Sequence, residues 1–333
     1  MTKILLTGGA GFIGSHTYVA LIDAGFEVVI LDNFVNARED VPERLRQITQ
    51  RSVACVRADM RNTTQISDVF DTHHFDGVVH FAALKAVGES VSHPLEYFET
   101  NVTGLTNLLK VMAAKDCRNL VFSSSATIYG EPELLPIPET AARSFTSPYG
   151  MTKLIGEQLL EAMHLSDPNW HFGILRYFNP VGAHASGMIG EDPMDIPNNL
   201  MPYIAKVASG DLPELSVFGD DYDTADGTGI RDYIHVTDLA QAHVLSLQKL
   251  IEGKSHIVNI GTGQGYSVLE MVQAYRRASG KPIPFKVTDR RPGDTASCYA
   301  DPQRAKDILG FSATHGLDDM CIDSWRWISS NLS

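Results

Sequence analysis

Residues 3 to 32 constrain this chain more than any other stretch. Lys3 to Thr7, K-I-L-L-T, is a short apolar run of the kind that forms a buried strand. It leads directly into G-G-A-G-F-I-G, residues 8 to 14. There Gly9, Gly11 and Gly14 fit G-x-G-x-x-G, while Gly8, Gly11 and Gly14 fit the looser G-x-x-G-x-x-G. Ile13, Thr17, Ala20, Leu21 and Ala24 then recur at helical spacing, and Gly25 is a natural stop. Glu27 to Leu31 reads as a second strand, closed by Asp32, eighteen residues after Gly14. Strand, glycine turn, helix, strand and acid is the layout of a dinucleotide site. The glycines let the backbone approach a pyrophosphate, which sits where the helix N-terminus favours anions. Asp32 would accept hydrogen bonds from an adenosine ribose and repel a 2′-phosphate, which predicts NAD rather than NADP.

The alternation continues. Val53 to Val56 reads as a third strand, followed by Asp59, and Gly77 to Phe81 as a fourth, followed by the small pair Ala82-Ala83 and then Lys85. Small residues after a parallel strand leave room for a ligand at the carboxyl edge of a sheet. His80, inside the apolar run, reads as a satisfied core histidine. Leu95 to Ala114 reads as a long helix containing Asn101, and Leu120 to Phe122 as a fifth strand ending in Ser123-Ser124-Ser125. A serine there can bond a substrate hydroxyl or cap the turn. Residues 126 to 146, rich in Pro, Glu and Thr, read as a surface loop.

The next stretch, S-P-Y-G-M-T-K, residues 147 to 153, is the candidate for chemistry. Ser147 suits an N-cap and Pro148 the first helical position. Tyr149 and Lys153 then fall four apart on one helix face. An ammonium beside a phenol favours the phenolate, so this spacing predicts a lowered tyrosine pKa and a proton acceptor near neutral pH. Y-x-x-x-K alone is common; its weight here comes from the strands around it. After a strand over Phe172 to Tyr177 the pattern breaks into an irregular stretch over residues 179 to 200, with Pro193 and Pro197 among its turn formers. The prediction is an α/β fold: a doubly wound parallel Rossmann sheet, residues 1–180, with a smaller C-terminal α/β substrate domain, residues 181–333.

That second part holds fewer signals. Thr237 reads as the cap of the helix D-L-A-Q-A-H-V-L-S-L, and His256 to Ile260 as a strand. Gly261-Thr262-Gly263 lacks the strand-helix-acid context and reads as a turn. Arg290-Arg291-Pro292-Gly293-Asp294 is either a solvated loop or a phosphate clamp. The net charge of −13 argues against nucleic-acid or anionic-membrane partners. Cys55, Cys117, Cys298 and Cys321 are far apart, with no C-x-x-C, so neither a disulfide framework nor a metal site is expected, and a reducing cytoplasm fits. There is no signal-like segment and no apolar run long enough to span a membrane.

By these residues the chain resembles the UDP-glucose 4-epimerase family of the extended short-chain dehydrogenase/reductases. The stretches that carry the resemblance are L-L-T-G-G-A-G-F-I-G-S-H-T, H-F-A-A-L-K-A-V-G-E-S, F-S-S-S-A-T-I-Y-G, S-P-Y-G-M-T-K, R-Y-F-N-P-V-G-A-H, I-P-N-N-L-M-P-Y and D-G-T-G-I-R-D-Y-I-H-V. The resemblance implies that Ser125, Tyr149 and Lys153 are catalytic. It implies an NAD site of Gly8, Gly11, Phe12, Ile13, Gly14, Asp32, Asn33, Asp59, Met60, Phe81, Ala82, Ala83, Lys85, Asn101, Tyr149, Lys153 and Phe178. Ala83 stands where many members have Gly. For the nucleotide-sugar it implies Lys85, Ser125, Tyr149, Asn179, Asn199, Leu200, Phe218, Arg231, Tyr233, Arg291, Asp294 and Cys298. The partners it implies are UDP-hexoses and a second copy of the chain, packed through helices at about 95–114 and 149–163.

The family's R-x-G-D pattern, counted from Arg291 and back from Ala300-Asp301, makes Cys298 the gate beside the sugar's C2 substituent. A small gate residue accompanies acceptance of N-acetyl sugars; the plainer reading of Cys298 is a small packing residue. Rival readings are a nucleotide-sugar 4,6-dehydratase or decarboxylase, and a non-catalytic NAD-binding regulator. Dehydratases carry an acidic pair just after the serine/threonine position, where this chain has Ala126-Thr127. A regulator would not need Ser125, Tyr149 and Lys153 together.

Overall fold

The computed structural model describes residues 2–192, 199–291 and 294–331. Pro193 and Pro197 of the irregular stretch, residues 196–198 of the I-P-N-N motif, and Pro292-Gly293 of the basic spot lie outside the described residues. In chain order the strands are β1 (Lys3–Thr7), β2 (Glu27–Asp32), β3 (Ala54–Arg57), β4 (Gly77–His80), β5 (Asn119–Ser125), β6 (His171–Tyr177), β7 (Asn179–Val181), β8 (Leu215–Phe218), β9 (Ile230–His235), β10 (His256–Ile260), β11 (Gly265–Ser267), β12 (Phe285–Thr288) and β13 (Ser297–Cys298). The helices are α1 (Phe12–Asp23), α2 (Val41–Thr49), α3 (Thr63–Thr72), α4 (Val87–Ser92), α5 (Pro94–Tyr97), α6 (Gly104–Ala114), α7 (Pro148–Ser166), α8 (Leu200–Ser209), α9 (Val236–Ile251), α10 (Val268–Ser279), α11 (Gln303–Leu309) and α12 (Leu317–Ser330).

Seven strands pair in parallel in the order β10-β6-β5-β4-β1-β2-β3. Both faces are covered, which is why β1 and β2 read as unbroken apolar runs instead of alternating. Successive side chains still point to opposite faces. Ile4 and Leu6 pack with Tyr18 and Leu21 of α1 and Leu239 and Leu247 of α9. Leu5 packs on the other side with Ile66 and Phe70 of α3, Leu105 and Leu108 of α6, and Leu160 of α7. The strand order reverses between β1 and β4, and a crevice opens there at the carboxyl ends. A smaller sheet orders β11-β9-β13, with β7 also on β9, while β8 pairs with β12. The chain crosses between the sheets more than once: α9 and β10, from beyond residue 180, return to the large sheet.

Several elements differ from the sequence reading, each for a local reason. The helix expected over 95–114 begins at Pro94 and passes through a π-helical turn, Phe98–Thr103, which carries Asn101. Residues 126–146 are not a plain surface loop. Ile128, Tyr129 and Ile137 are buried with Phe178 and Ala300, and the Ile137 N–H donates to the Tyr299 carbonyl at 2.9 Å. The cap of α9 is His235, whose Nδ1 accepts from the Thr237 N–H at 3.1 Å; Thr237 is already inside the helix. The stretch after Tyr177 starts with β7 and folds back at an Ala183–Gly190 bridge. The turn Gly261-Thr262-Gly263 wraps Asp232, whose carboxylate accepts from the N–H groups of Thr262 (2.9 Å), Gly263 (3.0 Å) and Ala300 (3.1 Å). That glycine run therefore serves an internal anion.

Burial of histidines makes the fold acid-sensitive. His16, His80 and His243 are fully enclosed, and burial pushes them down to about 3, about 3 and about 4. His80 behaves as the core histidine expected, its Nδ1 2.7 Å from the Thr7 hydroxyl. The unfolded chain binds these protons near pH 6.5, while the folded chain refuses them until far lower pH. Stability is therefore full above about pH 6.5 and falls on acidification by about 1.4 kcal/mol per pH unit for each histidine. Between pH 6.5 and 5 the three together remove on the order of 5 kcal/mol, a large share of a typical domain's stability. The expected result is a melting temperature well below its neutral value at pH 5. A melting temperature unchanged between pH 7.5 and pH 5 would contradict neutral burial of these rings.

Candidate active site

The crevice between β1 and β4 is built by close backbone approach. A Cβ on Gly14 would lie 2.2 Å from the Gly8 carbonyl oxygen, and one on Gly8, at φ +68°, would lie 2.6 Å from the Ala82 nitrogen. Only glycine lets the turn and the β4 edge come together here. Helix α1 starts from Gly11 with no side-chain cap and no acid in its first turn. Its N-terminal N–H groups therefore have no internal side-chain anion, which fits a diphosphate. At the end of β2 the Asp32 carboxylate accepts from Ala10 N–H at 3.0 Å and from Phe34 N–H at 2.9 Å. Burial raises its pKa, and those backbone bonds oppose the rise. Asp59 accepts from Asn33 Nδ2 at 3.2 Å, and the Arg61 guanidinium holds its carboxyl well below the usual range.

Gly8, Gly11, Phe12, Ile13, Gly14, Asp32, Asn33, Asp59, Met60, Phe81, Ala82, Ala83, Lys85, Tyr149 and Lys153 all line this one crevice. Two residues expected at the cofactor do not. Asn101 accepts from Leu84 N–H (2.8 Å) and donates to Leu84 O (3.0 Å) and Thr152 Oγ1 (3.1 Å), so it ties the loop after β4 to α7. Phe178 is buried with Ile128, Leu154 and Ala300. Tyr177, Glu191 and Trp327 line the crevice without having been singled out from sequence. Tyr177 had one usable signal, its place at a strand's carboxyl end. Glu191 and Trp327 are brought in by long-range packing and had none.

At the mouth of the crevice, Ser147 caps α7 by accepting from Gly150 N–H at 3.2 Å, with Pro148 following. Tyr149 and Lys153 are both buried on that helix. Lys153 Nζ donates to the Ser123 carbonyl at 2.7 Å and lies 5.8 Å from the centre of the Tyr149 ring. The lowered tyrosine pKa expected from this pair is not realised in the protein alone. Burial pushes the Tyr149 phenol up to about 12, opposed by the nearby Ser125 hydroxyl. The same burial pushes Lys153 down to about 8. Desolvation disfavours both charged forms, and in this arrangement the Lys153 ammonium donates to the Ser123 carbonyl rather than to the phenol. Ser125 is the last residue of β5, and its hydroxyl accepts from Thr127 N–H at 3.2 Å, so the strand reaches through all three serines.

A second group gathers on the smaller sheet. Asn179 pairs with Tyr233, and Cys298 with Arg231, on strands flanking β9. Arg231 Nη2 lies 3.5 Å from Asp294, and the Arg291 guanidinium lies 3.9 Å over the Phe218 ring. Arg290, the other half of the basic spot, is paired with Asp221 at 2.6 Å and lies 4.0 Å over Tyr222. Its guanidinium is thus engaged on the surface by Asp221 and Tyr222, away from Arg231 and Asp294. Asn199 is the N-cap of α8 and Leu200 its first residue. The Cys298 thiol is pushed up to about 11 by burial, so it stays a neutral thiol. Among the described residues no cluster of side chains could hold a metal ion, and no helix is long and apolar enough to cross a membrane.

Comparison with known proteins follows the same geometry. The pattern of the NAD dependent epimerase/dehydratase family matches residues 4–261. A UDP-glucose 4-epimerase of Bacillus subtilis (strain 168) is 53% identical over 331 residues, 99% of this chain and 98% of its own. A solved UDP-glucose 4-epimerase from Stenotrophomonas maltophila, with bound NAD and formylated UDP-arabinopyranose, superposes with a TM-score of 0.97 at 50% identity, covering 99% of this chain and 98% of that one. Another, from Bifidobacterium longum in complex with NAD+ and UDP, gives 0.96 at 49% identity, covering 99% of each.

Proposed function

The chain belongs to the NAD dependent epimerase/dehydratase family, and from that premise we propose that it interconverts UDP-galactose and UDP-glucose at C4 with tightly held NAD. The observation that carries the reading is that Tyr149 and Lys153 line the crevice while reaching the end of β5, the lysine at the Ser123 carbonyl and the phenol at the Ser125 hydroxyl. NAD, held by the glycine turn, Asp32, Tyr149 and Lys153, would supply a reversible hydride acceptor for C4 and a positive charge. The rest falls to the chain. Tyr149 takes the proton of the C4 hydroxyl and later gives it back. Ser125 orients that hydroxyl or relays its proton. Lys153, fixed on the Ser123 carbonyl, holds a positive charge close to the phenol. Epimerisation would require the sugar to present its other face to the cofactor, turning on its diphosphate tether. Affinity comes from the UDP portion, which leaves the sugar free to turn.

Residues 1–180 would carry NAD and 181–333 the UDP-sugar, with α9 and β10 completing the NAD-binding sheet. In the nucleotide-sugar site Asn179, Asn199, Leu200, Phe218, Arg231, Tyr233, Arg291 and Asp294 hold the UDP-hexose, and Cys298 stands beside C2. The small Cys298 favours acceptance of UDP-N-acetylgalactosamine and UDP-N-acetylglucosamine as well. A dehydratase or decarboxylase is not favoured, because Ala126-Thr127 offers no acid for elimination. The setting that fits is galactose metabolism in the cytoplasm. A homodimer through the helical stretches at about 95–114 and 149–163 is part of the proposal, supported by the exposed Val91, Leu95 and Leu165 in or next to them; a monomer in sedimentation at micromolar concentration would remove it.

The test is to incubate the purified protein with UDP-galactose and no added cofactor. The expected result is UDP-glucose as sole product, with NAD released on denaturing the protein. Activity that requires added NADP, or a deoxy-keto product, would overturn the assignment.

A further inference from the structure

One carboxylate in the crevice has no part in the reaction as described. Glu191 Oε1 accepts from Lys85 Nζ at 2.9 Å and from Asn199 Nδ2 at 3.0 Å. Lys85 comes from the loop after β4 and lines the cofactor crevice; Asn199 opens α8 and belongs to the UDP-sugar set. The Glu191 side chain is only 10% exposed, while that of Lys85 is 47% exposed. The neighbouring backbone is anchored to the NAD half as well. Asp192 pairs with Arg38 at 3.0 Å, and the Met188 carbonyl accepts from Arg44 at 3.0 Å.

We propose that Glu191 is a positioning residue joining the two sites, fixing Lys85 against the cofactor and Asn199 against the nucleotide-sugar through one carboxylate oxygen. This rests on the epimerase reading. A lysine stem with four rotatable bonds does not hold one direction at a half-exposed site unless its ammonium is anchored. A carboxylate with little exposure is a strong anchor, because hydrogen bonds between ionised partners are about twice as strong as neutral ones. Since the same oxygen also holds Asn199, any movement of Glu191 alters both sites. Coupling of that kind is reciprocal: holding NAD favours UDP, and UDP favours retention of NAD. A redox-neutral cycle benefits, since NAD must stay while UDP-sugars exchange.

The test compares full-length wild type, Glu191→Gln and Glu191→Ala. Three readings are taken: the rate of NAD loss on dialysis, UDP affinity by calorimetry on NAD-saturated protein, and KM against kcat for UDP-galactose. With both anchoring bonds gone, Glu191→Ala should lose NAD about 10-fold faster and bind UDP about 10-fold more weakly. Its KM should rise by more than its kcat falls. Glu191→Gln, which keeps an acceptor oxygen but not the charge, should fall between. If only one of NAD retention and UDP affinity moves, or neither does, the joining role is wrong. Should the alanine variant melt early, the isosteric glutamine variant decides, and wild-type values for both quantities overturn the inference. Failure of the epimerase reading looks different: wild type itself would lack bound NAD or turnover.

Discussion

Tyr149→Phe is expected to lower kcat by about 10²–10⁴-fold, the usual range for losing a general acid–base, while UDP affinity and NAD content stay near wild type. The substitution removes one oxygen and keeps a ring that is already buried, so packing on α7 is preserved. Lys153 keeps its bond to the Ser123 carbonyl, so the lysine does not lose its position. What goes is the group that, in the proposed mechanism, exchanges a proton with the C4 hydroxyl. Burial pushes this phenol up to about 12 against the lowering effect of the Ser125 hydroxyl. Steady-state kinetics with UDP-galactose check the loss, and calorimetry with UDP checks the retained binding. Turnover at the wild-type rate would remove Tyr149 from the mechanism.

Cys298→Tyr should abolish or sharply reduce turnover of UDP-N-acetylgalactosamine while sparing UDP-galactose. Cys298 sits on the two-residue strand β13, opposite Arg231. The strand cannot simply move away: Ala300 behind it is fully buried, and Ile137 bonds the backbone on either side, from its N–H to Tyr299 O and from its carbonyl to Asp301 N–H, both at 2.9 Å. The thiol packs beside the buried cluster of Ile128, Phe178 and Ala300, which leaves no room inward for a phenol; in the proposed gate role the larger ring extends toward the sugar. An acetamido group pressed against it meets an overpacking cost of roughly 1–3 kcal/mol, or about 5- to 150-fold in kcat/KM. The hydroxyl of UDP-galactose at the same carbon is small enough to stay clear. The comparison is the ratio of kcat/KM for the two sugars in wild type and variant. An unchanged ratio, or a wild type with no activity on the N-acetyl sugar, ends the gate assignment.

The NAD half was legible because its physics is local. The glycines, Asp32 and the strand ends are fixed by neighbours in sequence, and the crevice gathers them as expected. Where the reading went astray, contacts distant in sequence decided. Residues 126–146 look like a loop by composition, yet Ile128 and Ile137 are drawn inward by Ala300. His235 took the capping role from Thr237 because its ring reaches the free N–H from the end of β9. The tyrosine–lysine spacing places both residues on one buried helix face, while burial works against the lowered phenol pKa that the spacing predicts. Spacing on a helix says nothing of desolvation or of the Ser123 carbonyl that holds the ammonium. Glu191 could not be seen at all, since its partners lie 106 residues upstream and 8 downstream.

The most direct test of the central claim uses UDP-galactose carrying deuterium at C4, given to the protein as purified with no cofactor added. If Tyr149 moves only the hydroxyl proton and hydride goes to bound NAD and back, the UDP-glucose formed should keep its deuterium at C4, with none replaced from water. Loss of that deuterium to solvent, or no reaction until free cofactor is supplied, would contradict the account.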